Sequence, residues 1–258
     1  MLKTLCSIWR LTVRAARTLL AAAFFAGFAI GGLAVGFVLF PAVLLAGGGG
    51  RGRRRMRACV RLSYRFFVWA ARVTGLFVVV ASPETIRALS AMRGRIVVAN
   101  HISLIDVVIL IALLPDSTAV AKAAAARNPF YSRIVSSVFL VNDDPSRLLS
   151  SAAALLGEGV NILVFPEGTR TMQSARRRLR RGAAQIAIHA GAPVSCVRIS
   201  CDPPVLGKGQ HWWDVGGGVV RYGIELRGEL APPALEPGQT SHAAAVDMTA
   251  AMEKVIWP

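Results

Sequence analysis

The chain is 258 residues long, 54% apolar and 17% charged, with a mean hydropathy of +0.51, which excludes a disordered tail. Thirty basic residues stand against fourteen acidic ones, a formal charge of +16, and with lysine only at positions 3, 122, 208 and 254, arginine supplies 26 of the thirty. That surplus asks for an anionic partner, and with this hydrophobicity it favours a phospholipid surface over nucleic acid.

Thr18 to Ala46 contain no charge and lie between Arg17 and Arg51. As one helix these 29 residues would span about 43 Å at roughly 1.5 Å each. That exceeds one ~30 Å bilayer core and is too short for two crossings. A tilted span and a re-entrant hairpin broken near Pro41 and Gly47–Gly50 both fit. A signal peptide fits less well, its apolar region being about half as long. Gly27 and Gly31, then Gly32 and Gly36, sit four apart, a spacing that can seat a helix partner.

Lys3, Arg10, Arg14 and Arg17 precede this segment; Arg51, Arg53, Arg54, Arg55, Arg57, Arg61, Arg65 and Arg72 follow it. The heavier downstream cluster assigns the rest of the chain to the cytoplasmic face of a bacterial-type inner membrane. Between Arg53 and Arg72 the arginines alternate with Val60, Leu62, Phe66, Phe67 and Trp69. That pattern describes a helix along an anionic interface, or one whose apolar stripe packs on the following domain; the two are compatible. Residues 1–74 therefore read as a membrane anchor with a basic interfacial helix, and 75–258 as a separate α/β domain.

From Leu76 onward, short apolar runs alternate with helical stretches. The predicted strands are Leu76–Val80, Arg95–Ala99, Ala119–Lys122, Val138–Val141, Asn161–Phe165, Val194–Ser200 and Gly218–Leu226. The predicted helices are Ser103–Leu114, Pro129–Ser137, Ser146–Gly157, Arg180–Ala190 and Ser241–Val255. Strands separated by such helices make an α/β domain, a mixed sheet flanked by helices on both faces.

Two segments at strand ends carry chemistry. In Ala99-Asn-His-Ile-Ser-Leu-Ile-Asp106, an apolar strand gives way to His101, with Asp106 five residues on. If His101 lies in the turn before the helix, Asp106 reaches its ring, fixes the tautomer and supports the cation formed on proton uptake. Such a pair is a general base with its orienter, although this spacing alone is common. In Asn161-Ile-Leu-Val-Phe-Pro-Glu-Gly-Thr-Arg170, a second strand delivers Glu167, Gly168, Thr169 and Arg170 into a loop. Gly168 lets backbone amides approach a ligand, Thr169 offers a hydroxyl and Arg170 a planar fork suited to phosphate. Open α/β sheets bind ligands beyond the carboxyl ends of their strands, where both segments fall.

Asn-His-x4-Asp followed about sixty residues later by Phe-Pro-Glu-Gly-Thr-Arg resembles the glycerolipid acyltransferase family, typified by 1-acyl-sn-glycerol-3-phosphate acyltransferase. The resemblance covers roughly residues 75–200. It implies a glycerol-phosphate acyltransferase-like fold and acyl transfer from acyl-CoA or acyl-carrier protein to a lysophospholipid hydroxyl, at a bilayer and with no cofactor or metal. By the same resemblance His101 is the base and Asp106 its partner. Glu167, Gly168, Thr169 and Arg170 hold the acceptor's glycerol phosphate, and Lys122 is the basic residue near it, or else a surface lysine at a strand end. The tetrahedral oxyanion would be held by backbone amides near Gly168.

The sequence departs from the family at two places. Where an arginine is usual near the end of Phe139-Leu-Val-Asn-Asp143, this chain has Asp143 and then Asp144, so the acceptor is less charged or Arg147 substitutes. Cys196 stands where a proline is frequent. Cys201 to Trp213 resembles a subgroup beside specialised fatty-acid or polyene pathways.

The remaining features read as structural or interfacial. Cys6, Cys59, Cys196 and Cys201 form no CxxC pair, which argues against a disulfide scaffold or zinc ribbon. The run Arg176, Arg177, Arg178, Arg180, Arg181 has no nucleic-acid-binding motif beside it and suits lipid headgroups, an acidic carrier protein or plain solvent. His189 and His211 match no metal spacing with Cys196 and Cys201. A non-catalytic membrane-binding scaffold is the alternative reading of the whole chain.

Overall fold

The computed structural model describes residues 2–45, 49–126, 135, 137–172, 178–211, 213, 215, 217–234 and 240–257. Helix α1 (Leu2–Ala34) continues through a π-helical stretch, Val35–Leu39, into α2 (Phe40–Leu45). The widened turn lies just ahead of Pro41, whose ring in a regular α-helix would press on the carbonyl of residue 37. The helix thus passes Pro41 unbroken and ends at Leu45, ahead of the Gly47–Gly50 run. From Leu11 to Val43 it is long and apolar enough, by length and composition, to cross a membrane.

Helix α3 (Gly49–Val73) starts at a glycine with φ of +79° and runs back along α1. Phe40 packs with Met56 and Val60, and Phe28 meets Tyr64 and Phe67 at 5.9 and 4.3 Å between ring centroids. The two helices therefore form an antiparallel hairpin. On α3, Met56, Val60, Phe67 and Ala71 are buried, whereas Leu62, Phe66, Trp69 and Val73 form a second, exposed apolar stripe. One stripe packs on the domain, as one sequence reading expected, and the other faces outward.

The seven strands are β1 (Phe77–Val80), β2 (Ile96–Ala99), β3 (Ser117–Lys122), β4 (Leu140–Asn142), β5 (Asn161–Val164), β6 (Val194–Asp202) and β7 (Val220–Leu230). They form one sheet in the order β1-β7-β6-β2-β5-β3-β4. Strands β2 to β6 are mutually parallel, β7 is antiparallel to β6, and β1 is parallel to β7. The sheet is mixed, as expected. Strands β2 and β5 are buried at every residue. Val97 and Leu163 point into one core layer with α3 and α5 (Asp106–Leu113). Ile96, Val98 and Ile162 point into the other, with α7 (Pro145–Gly157), α8 (Gly182–Ala190) and α9 (Ser241–Ile256). A strand covered on both faces has no polar side to show, hence the unbroken apolar runs.

Helix α4 (Pro83–Ala91) was not expected from the sequence. Its signal is the cap: Ser82 Oγ accepts the Thr85 N–H at 3.1 Å, and Pro83 occupies the first turn, where a missing N–H costs nothing. The short helix α6 (Ala123–Ala126) follows β3. The predicted helix Pro129–Ser137 lies largely outside the described residues. Strand β7 runs further than predicted, its pairing with β6 continuing to Leu230 opposite Val194.

Candidate active site

The parallel strands β2, β5 and β3 point their carboxyl ends toward one edge of the sheet, and the loops leaving them build the site. At the end of β2, the Asn100 amide donates to the Ile199 carbonyl at 2.8 Å and accepts the Ile199 N–H at 2.6 Å. This buried two-way bond ties the start of the following turn to β6.

Residues 101–105 form that turn, and α5 begins at Asp106 rather than Ser103. The reason is local. Asp106 Oδ2 accepts the N–H groups of Ile102 and Ser103 at 2.7 and 2.8 Å, and Oδ1 accepts the Ser103 hydroxyl at 2.5 Å. The carboxylate is fully buried at the amino end of the helix, where aligned peptide dipoles favour a negative charge. His101 Nδ1 lies 2.9 Å from the same Oδ2. With Nδ1 carrying the proton toward Asp106, the lone pair resides on Nε2, the nitrogen free to act as a base. The ring also stacks on Phe165, centroids 4.4 Å apart at 27°, and its side chain stays 21% exposed. Two neighbours thus set its orientation and one edge remains reachable.

The second motif holds the first. His101 N–H donates to Glu167 Oε1 at 2.9 Å, and the Thr171 N–H donates to the His101 carbonyl at 2.7 Å. Both backbone groups of His101 are therefore taken by the Phe165–Thr171 loop. Glu167 is 1% exposed, and its other oxygen has no hydrogen-bond partner among the described residues. Burial raises its pKa above the usual carboxylate value, opposed by the Thr171 hydroxyl and by the His101 N–H and ring. Glu167 thus braces the His101 turn from within and does not line an open surface.

Gly168 has φ of +68°, and a Cβ there would stand 2.9 Å from Arg180 Nε. Glycine is needed twice over, for the backbone and to let the Arg180 side chain lie across the loop. The Gly168 N–H donates to the Phe165 carbonyl at 3.1 Å and so closes the turn. Arg170 Nη1 donates to the carbonyls of Leu206 and Gly207 at 2.8 and 3.1 Å, which fixes the guanidinium plane and uses two of its five N–H groups. Thr169 is half-buried in the same loop, and Lys122 is exposed at the end of β3, which β5 separates from β2.

Sequence reasoning did not single out Phe165, Ser103, Thr171 or Arg180 as members of this site. Ser103 and Thr171 were readable as polar neighbours of the two motifs. The role of Arg180 was not, because the bond from its N–H to the Pro166 carbonyl, 2.8 Å, is made by chain folding back across fourteen positions. Arg147, at the departure noted above, is exposed and keeps its guanidinium at the surface. Asp143 faces it at 3.6 Å, and Asp144 caps α7 by accepting the Arg147 N–H at 2.9 Å. Cys196 and Cys201 are buried thiols, His211 stacks on Trp213, and no group of metal-ligating side chains occurs among the described residues.

An apolar cavity of about 840 Å³ lies between α1 and α3, lined by Phe24, Phe28, Tyr64 and Phe67. Gly27, Gly31 and Gly32 border it, and a Cβ at any of the three would meet nothing within 4 Å. These glycines leave open space along the cavity.

Residues 77–200 match the protein-family model described as Acyltransferase. A 1-acyl-sn-glycerol-3-phosphate acyltransferase of Borreliella burgdorferi is 32% identical over 149 residues, 54% of either chain. A probable 1-acyl-sn-glycerol-3-phosphate acyltransferase of Mycoplasma pneumoniae is 29% identical over 143 residues, 51% of this chain and 52% of that one. The chain spans about half the length of the curated relatives it matches. The crystal structure of the 1-acyl-sn-glycerophosphate acyltransferase of Thermotoga maritima shares the fold at a TM-score of 0.63 and 23% identity, over 95% of this chain and 98% of that one.

Proposed function

We propose that this chain, whose residues 77–200 match the Acyltransferase family model and resemble 1-acyl-sn-glycerol-3-phosphate acyltransferases, is a membrane-bound O-acyltransferase. It moves an acyl chain from the thioester of acyl-CoA or acyl-carrier protein to the free hydroxyl of a lysophospholipid. The best-supported acceptor is 1-acyl-sn-glycerol-3-phosphate, which gives phosphatidic acid. The observation that carries this reading is the 2.9 Å contact between His101 Nδ1 and a fully buried Asp106, with the other face of the ring reachable.

In the mechanism, His101 Nε2 takes the acceptor's hydroxyl proton as its oxygen attacks the thioester carbon. Asp106 stabilises the imidazolium as it forms. The tetrahedral intermediate collapses by breaking the carbon–sulfur bond, and the imidazolium returns its proton to the departing thiolate. The ester forms, the thiol is released and the histidine is regenerated. Arg170, held by the 206–207 carbonyls, directs its guanidinium toward the acceptor phosphate, with Thr169 beside it and Arg180 over Gly168 adding positive charge. Lys122 is the further cation at this edge. The apolar cavity between the hairpin helices is suited to an acyl chain. The exposed apolar residues of α1 and α3 seat the hairpin at the bilayer, and the arginines of α3 hold the domain on the cytoplasmic side.

Purified chain in detergent, given labelled acyl-CoA or acyl-carrier protein and a panel of lysophospholipids, tests this. Acyl transfer by wild type, reduced about 10²–10⁴-fold in a folded His101→Ala variant, is expected. Inactivity of wild type across the panel, or full activity of the variant, transfers the chain to the scaffold reading.

A further inference from the structure

At the opposite edge of the sheet, helix α3 presents a third face. Arg54, Arg57, Arg61 and Arg65, spaced three and four apart, line one wall of a cavity of about 670 Å³. The facing wall comes from the domain: Arg93 before β2, Asp116 before β3 and Glu158 before β5. These are the amino ends of the strands whose carboxyl ends carry His101 and Glu167, so the cavity and the acyl-transfer site lie on opposite edges.

The charges here do not balance. Five guanidiniums face two carboxylates. Asp116 is already engaged by the buried Arg57, at 2.6 and 3.3 Å, and has Arg54 at 3.8 Å. Arg61, Arg65 and Arg93 have no ion pair among the described residues, and Arg61 Nε is buried with no hydrogen-bond partner. Burial first, then the charges of Arg65 and Arg93, lower the Arg61 pKa from its ordinary value. Like charges gathered on a concave wall raise the local positive potential and attract an anion. Its chemistry is indicated by the rim. Leu62 borders the cavity and begins the exposed stripe Leu62, Phe66, Trp69, Val73 along the same helix. An arginine face beside an outward apolar stripe matches a ligand with a phosphate at one end and hydrocarbon at the other.

We infer that this arginine-lined cavity holds the phosphate headgroup of an anionic membrane phospholipid, with its chains along Leu62 to Val73, as a site separate from acyl transfer. Of the proposed function, it uses only the membrane location.

The test is native mass spectrometry of the delipidated full chain in detergent, titrated with phosphatidylglycerol, with phosphatidylcholine, or with soluble sn-glycerol 3-phosphate. One phosphatidylglycerol should be retained by wild type, and phosphatidylcholine should not. The pair Arg61→Gln and Arg65→Gln should weaken retention roughly 10- to 30-fold. Arg53→Gln with Arg55→Gln removes the same charge from exposed positions outside the cavity and should leave retention unchanged. Should the first pair fail to fold, the exposed Arg65→Gln with Arg93→Gln asks the same question from both walls. Equal loss in the cavity and control pairs would mean diffuse attraction and overturn the inference. So would undiminished retention in the cavity variants, or displacement of the lipid by an equal concentration of glycerol phosphate, which would assign the site to a soluble phosphate.

Discussion

Asp106→Asn isolates the charge behind the proposed base while nearly preserving its shape. In the wild type, Oδ2 accepts from His101 Nδ1, Ile102 N–H and Ser103 N–H, and among the described residues Oδ1 accepts only the Ser103 hydroxyl. An asparagine can place its carbonyl oxygen at the Oδ2 position and its amide toward Ser103, whose hydroxyl can turn to accept. The hydrogen-bond pattern survives, at a cost of about 1–3 kcal/mol if one buried contact is made poorly. What disappears is the anion facing the imidazolium. Two unit charges about 4 Å apart at an effective dielectric of ~20 interact by about 4 kcal/mol, which corresponds to roughly 10³-fold in rate. Single-turnover acyl transfer with acceptor in excess reads this directly, and circular dichroism with a thermal melt checks the fold. A folded Asp106→Asn protein within about tenfold of the wild-type rate would refute the assignment of His101 and Asp106 as base and orienter.

Two further substitutions probe the loop that braces His101. Gly168→Ala forces φ of +68° on a residue with a side chain and pushes a methyl against Arg180; a stability loss of about 1–3 kcal/mol and a raised KM for the acceptor are expected, and a wild-type melt with wild-type kinetics would contradict it. Glu167→Gln keeps an acceptor for the His101 N–H and removes a carboxyl whose folded pKa is raised, chiefly by burial, above 4.5. For such a group the folded state holds the proton more tightly than the unfolded one. The carboxyl's favourable contribution is therefore complete below the unfolded pKa and lost as pH rises through the folded one. The melting temperature of the glutamine variant relative to wild type should thus rise between pH 4 and pH 8, by roughly 2–4 °C per kcal/mol, and a pH-independent difference would count against the buried charge.

Much of this architecture was legible because its signals are local. The apolar runs at 96–99 and 161–164 marked strands covered on both faces, and the two polar segments after them marked the site's edge. The same locality explains what was not read. The helix at 83–91 is short and weakly apolar, and its clearest mark, a Ser-Pro-Glu-Thr cap, was passed over. A tilted span and a hairpin broken near Pro41 and Gly47–Gly50 were both open from the sequence, because composition does not show that a π-helical stretch carries the helix past Pro41. The resemblance implied a substrate-holding role for Glu167; what no local window shows is that one of its oxygens accepts the backbone N–H of His101, sixty-six positions away.

Spacing and residue type by themselves determined which groups could do chemistry: an imidazole five positions before a carboxylate, a glycine flanked by acid and hydroxyl, and an arginine at the end. They also determined the amphipathic character of α3, since a 3.6-residue period is written in the chain. Only the folded chain decided which polar groups face a substrate and which are consumed in holding the others. That division depends on hydrogen bonds such as Thr171 to His101, Arg170 to Leu206 and Arg180 to Pro166. Each joins residues brought together by the order of strands in the sheet, and strand order is a property of three-dimensional packing that no local window of sequence contains.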